Sequence, residues 1–244
     1  MERVSRCNNS DFNANGAYVL YWMTAYRRTH FNFALERAVF WATELRRPLV
    51  IFEPLSCTYR WASERLHQFV IDGMHEKLVS LKNSPITYVP YVEAFPGEGR
   101  IIFSKIANRA CLIVTDDFPA FEIPRWISKV ASRSRMLVEK VDSNGLFPMR
   151  STERIFLTAA SFRRYFGLDT TKTDDHRPPL NLAMPKSDPL AGIDLPKFRG
   201  LDLGHLELAI PYSVDRSVAP VTALKGGTLA ARGRLRTFVS TDAP

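Results

Sequence analysis

Two runs of this chain, "PLVIFE" at 48–53 and "CLIVT" at 111–115, are apolar almost without interruption. A strand with one wet face alternates apolar and polar residues. A strand covered on both faces does not, and such strands belong to parallel sheets packed between helices. Three further runs, "AYVLYWM" at 17–23, "ITYVPY" at 86–91 and "RMLVEKV" at 135–141, complete a set of five. Helical stripes fall between them. Phe31, Leu35, Ala38, Val39, Ala42 and Leu45 share one face, and Leu66, Phe69, Val70, Met74, Leu78 and Leu81 another. A shorter helix is expected around Ile102, Phe103 and Ile106, and a fourth from Pro124, a favoured first-turn residue. Gly73 interrupts the second helix, which predicts close packing of that helix on its sheet.

This order predicts an α/β fold: an open, mostly parallel, five-stranded Rossmann-like sheet with helices on both faces. Its expected extent is 1–168, with "STERIFLTAASFRRYFGL" at 151–168 as a last helix. The stretch 169–220 carries seven of the 16 prolines and little periodicity, and reads as an extended linker. Residues 221–244 become helical after "KGG", with Thr228 as N-cap. There Leu235, Phe238 and Val239 share a face, which needs an apolar partner.

Composition narrows the function classes. No run approaches the ~20 apolar residues of a membrane span, so no membrane partner is expected. Cys7, Cys57 and Cys111 are odd in number and widely spaced, without CxxC, which argues against a disulfide framework or a zinc site and for a cytoplasmic setting. The formal charge is +8, from 33 Lys and Arg against 25 Asp and Glu, and suits a polyanionic partner. Neither GxGxxG nor a Walker motif is present. His67 and His75 lie eight residues apart on one helix, too far for a joint metal site, and read as surface histidines. Asp116 and Asp117 follow a strand directly, as a ligand or metal position or as caps of the next turn.

Ligands of open α/β sheets gather at the carboxyl ends of the strands. Trp22, Tyr26, Phe52 and Phe118 all lie at or just past such ends. A flat conjugated ligand needs aromatic faces and a few polar groups that fix its orientation. Trp22, Met23, Arg27, Phe52, Glu53 and Asp117 are the candidates for that site by strand-end position. No residue stands out as catalytic or metal-binding.

Several stretches together resemble the DNA photolyase and cryptochrome family, in particular its class II branch. "GAYVLYWMTAYRRTHFNFALERAVFWATELRRPLVIF" resembles the opening strand-helix-strand. "ASERLHQFVIDGM" is similar to a helix of that branch, and "VTDDFP", "VDSNGLFP" and "SFRRYFG" to later landmarks. "VDRSVAPV…KGGTLAARGRLRTFV" resembles the segment leading into the flavin-binding helical domain. The resemblance implies a protein related to deoxyribodipyrimidine photolyase, which acts on damaged DNA with FAD and light. It implies an antenna chromophore, a deazaflavin or a folate, in the α/β domain. It also implies that the FAD pocket lies outside these residues, in a helical FAD-binding domain, so that this chain alone does not repair. The other expectation is a chromophore- or partner-binding module without enzymatic activity. An unrelated nucleotide-binding enzyme using Asp116 and Asp117 is a third reading.

Overall fold

A computed structural model describes residues 3–145, 147–167, 189–191, 210–211 and 213–241. Twelve elements follow one another. They are β1 (Val4–Arg6), β2 (Tyr18–Trp22), α1 (Phe33–Glu44), β3 (Leu49–Leu55), α2 (Glu64–Leu81) and β4 (Thr87–Val92), then α3 (Glu98–Ala107), β5 (Ala110–Asp116), α4 (Ile123–Arg133), β6 (Val138–Val141), α5 (Ala159–Phe166) and α6 (Thr228–Thr241). The six strands form one sheet in the order β1-β6-β5-β2-β3-β4. All five predicted strands are present and mutually parallel. The sixth, β1, runs antiparallel along β6, pairing Val4 with Val141 and Arg6 with Glu139. Its three residues are too few and too polar to show a period.

Because side chains alternate along a strand, β2 feeds two cores at once. Tyr18, Leu20 and Trp22 join Ile102 and Ile106 of α3 and Ile123 and Ile127 of α4. Val19, Tyr21 and the following Met23 join Ala34, Leu35 and Ala38 of α1. This double coverage is why the runs read as continuous. Pro90 lacks an N–H and sits in β4, the edge strand, where one unpaired side is free of ladder bonds.

Three helical expectations are corrected. On α2 the buried residues are His67, Ile71, Gly73, Met74, Lys77 and Leu81, whereas Leu66 and Phe69 of the expected stripe are exposed. The stripe is displaced because α2 packs on two things, the sheet and a later segment bearing Ile210 and Val214. Gly73 faces that later segment, at Gly227, and not the sheet. The last predicted helix is short: Thr158 caps α5 at Ser161 N, and residues 152–156 are irregular. Most of the predicted linker 169–220 lies outside the described residues.

Candidate functional site above the first parallel strand

The chain leaves β2 toward β3 and β4 on one side, then returns to β5 and β6 on the other, so strand order reverses at β2. The crevice expected there lies between the ends of β2 and β5. The chain's own groups occupy its floor. Asp116, fully buried at the end of β5, accepts hydrogen bonds from the amides of Thr24 (2.9 Å), Ala25 (2.7 Å) and Tyr26 (3.0 Å) and from the Tyr21 hydroxyl (2.7 Å). Burial pushes its carboxyl above the ordinary 3.8, and these donors pull the other way. Asp116 therefore holds the loop that follows the neighbouring strand β2, not the next turn. Asn32 completes the frame. Its amide donates to the Tyr21 hydroxyl and the carbonyls of Tyr26 and Arg28, and its oxygen caps α1 at Leu35 N.

The six residues proposed from strand-end position have different surroundings. Met23 and Phe52 are fully buried, each in one of the two cores. Glu53 is fully buried too, bound by Arg27 (3.0 Å), Lys77 (3.3 Å) and the Tyr88 hydroxyl (2.6 Å). Arg27 also donates to the Pro54 carbonyl at 2.9 Å. Asp117 pairs with Lys140 at 3.2 Å and with Arg150. Trp22 is different. Its indole nitrogen is buried and finds no hydrogen-bond partner among the described residues, while its ring lies 4.5 Å from Phe103.

Aromatic residues missed in the sequence stand over the same strand. Trp61 follows β3 and Phe121 follows β5, the two neighbours of β2, and their rings meet at 5.8 Å. Phe118 lies parallel to Phe121 at 6.2 Å and edge-on to Tyr26 at 6.1 Å. The Arg60 guanidinium covers Trp61 at 5.5 Å. Trp61 is 55% exposed and Phe121 68%. Phe121 also holds φ at 59°, a left-handed conformation costly for a side chain with a Cβ. Periodicity gives no signal for such residues, since both sit in loops. Chemically the group offers flat faces and one cation to a planar conjugated molecule.

His67, expected at the surface, is buried beneath this region. It stacks on Tyr59 at 5.8 Å, its Nδ1 is 3.0 Å from the Ser63 carbonyl, and burial lowers its pKa from 6.5. A cavity of about 770 Å³ lies elsewhere, between Thr29 and His30, α2 and the start of α6, and none of the six proposed residues lines it. Among the described residues no group of three or more His, Cys, Asp or Glu is placed to hold a metal.

A deoxyribodipyrimidine photo-lyase of Methanothermobacter thermautotrophicus is 29% identical over 150 residues, covering 62% of this chain and 33% of that protein. Over this stretch the chain is similar to a DNA photolyase. It spans about a third of the length of this curated relative. No protein-family model matches it. A bacterial class III photolyase from Agrobacterium tumefaciens superposes with a TM-score of 0.57 at 17% identity, over 95% of this chain and 46% of that one. The likeness shows that the six-stranded sheet and its helices are arranged as in that photolyase. An archaeal photolyase from Sulfolobus tokodaii, described with two FAD molecules, aligns over 60% of this chain and 34% of its own at 15% identity and a TM-score of 0.47.

Proposed function

We propose that the chain is the antenna-domain portion of a light-driven DNA repair protein of the photolyase type, and that its own task is to hold a chromophore above β2. The observation that carries this reading is the open aromatic group of Trp61, Phe118 and Phe121, of which Phe118 packs on the core cluster that holds the buried, unpartnered Trp22 indole N–H. A buried donor without an acceptor is costly, and a bound heterocycle with a carbonyl or ring nitrogen supplies one. Arg60 and the ring faces orient the ligand, and the side chains around them exclude water. Of the six strand-end candidates, Trp22 serves as the polar contact. Arg27, Glu53 and Asp117 act by holding the loops, and Met23 and Phe52 by filling the floor. A deazaflavin or a folate is the proposed chromophore, and when bound it supplies light absorption.

Splitting of cyclobutane pyrimidine dimers belongs, in this proposal, to an assembly with a FAD-binding helical domain, and damaged DNA is the partner of that assembly. The exposed apolar side chains of α6, among them Leu235, Phe238 and Val239, support such a partner. The chain by itself is expected to bind chromophore and not to repair.

The test is an absorption titration of the purified chain with a deazaflavin and with methenyltetrahydrofolate. A saturable, red-shifted band is expected with one of them. Trp61→Ala and Phe121→Ala are each expected to weaken binding by about two- to tenfold, the range of one aromatic contact. If neither compound binds, or if both variants bind as the parent does, the cleft is not the chromophore site.

A further inference from the structure

Residues 213–229 run along α2 as an arm. Asp215 pairs with its N-terminus: its N–H donates to the Ala62 carbonyl (3.2 Å) and its carbonyl accepts from Glu64 N (2.8 Å). Val214 packs with Ile71 and Met74, and Arg65 holds the Ala219 carbonyl at 3.0 Å. The arm then meets α2 at its middle. Asp72 accepts from Gly226 N at 3.1 Å, just before α6, and Glu76 from Leu229 N at 2.9 Å, so one carboxylate of α2 holds the approach to α6 and another caps its first turn. The approach is close enough to demand glycine twice. A Cβ at Gly226 would collide with the Phe69 carbonyl, and Gly227 has φ 103° with the Glu76 carboxylate against it. Gly227 lies over Gly73.

One side chain joins this seat to the cleft. Lys77 is 5% exposed, and its ammonium has three partners on three pieces of chain. It donates to the Gly73 carbonyl (2.9 Å), directly beneath the arm, and to the Arg27 carbonyl (3.2 Å), in the loop above β2. Its third partner is the Glu53 carboxylate (3.3 Å), at the end of β3. Packing alone gives no reason to bury an ammonium there, since a methionine fills similar space without the desolvation cost. The three residues just before Arg27 in the same loop are the ones fixed on Asp116.

We infer that Lys77 is a positioning residue that couples the seat of the C-terminal arm on α2 to the loop above β2. The two regions then loosen and tighten together, and docking of α6 bears on the shape of the cleft.

Hydrogen exchange on the full chain tests this without any chromophore, so its outcome is independent of the ligand proposed above. Lys77→Met leaves Glu53 with Arg27 and Tyr88, so no bare buried carboxylate results. The variant is expected to speed exchange about tenfold at the amides of Gly226 and Leu229 and at those of Thr24, Ala25 and Tyr26, with β5 unchanged. A response confined to one region, or to neither, overturns the inference. If Lys77→Met does not fold, Glu76→Gln and Gly226→Ala disturb the arm from its own side. The coupling then requires faster exchange at Thr24, Ala25 and Tyr26, and parental rates there overturn it.

Discussion

Glu93 shows how a single buried carboxylate ties loops together in this domain. It accepts from the Ser56 hydroxyl (2.6 Å) and from the amides of Cys57 (3.0 Å), Gly97 (2.8 Å) and Gly99 (3.2 Å). It thus joins the loop after β3 to the first turn of α3. Burial alone would push its pKa up, but these donors outweigh it and hold the carboxyl below its ordinary 4.5. Glu93→Gln is expected to cost about 2 kcal/mol at neutral pH, the scale of hydrogen bonds to a charged group. The sign with pH follows from the depressed value. The stabilisation is present above the unfolded value of 4.5 and is lost as pH falls through the lower folded one. Denaturant unfolding of parent and variant across that range is expected to show the gap closing toward acid. An unchanging gap would mean that ionisation of Glu93 contributes nothing. None of this was legible in the sequence, where Glu93 is one acid among many. Asp116 was legible as important by its place after a strand, but its partners 90 to 95 residues away were not.

Among the elements, the strands were the most readable, because both faces of β2, β3 and β5 are covered and composition alone marks them. Helix α1 was readable for the related reason that its buried face meets the sheet. Helix α2 was not. Its second contact comes from residues some 140 positions later, which no local period encodes. The start of α1 carries a prediction. Asn32 is fully buried and serves the helix cap and the loop above β2 together. Asn32→Ala removes a cap and the amide donor to the Arg28 carbonyl and the Tyr21 hydroxyl, and is expected to cost about 2–4 kcal/mol. In a domain of this size that lowers Tm by on the order of 10 °C. A thermal melt within a degree or two of the parent would show that water replaces the amide without loss.

At the scale of the whole molecule, a buried α/β body carries an arm whose last helix is fixed at one end and open along its length. Leu235 is 60% exposed and Phe238 58%. Replacing both by Asp is expected to change the stability of this chain by no more than about 0.5 kcal/mol per site, as at other exposed positions. A larger loss in a denaturant titration would mean that the face is already packed in solution. No helix among the described residues is long and apolar enough to cross a membrane. The sheet and its parallel order follow from patterns in the sequence, as does the expectation of a ligand site above β2. The aromatic roof of the cleft does not, since Trp61 and Phe121 sit in loops and meet only because β3 and β5 flank β2.

The carboxylate of Asp116 already rests on three consecutive amides, the kind of berth that many sheets of this design keep vacant for a diphosphate. A ligand at the site proposed above β2 is therefore expected to be recognised by its rings and not by its phosphates. ATP and NAD, for all their affinity for such folds, should produce no heat when titrated into this one.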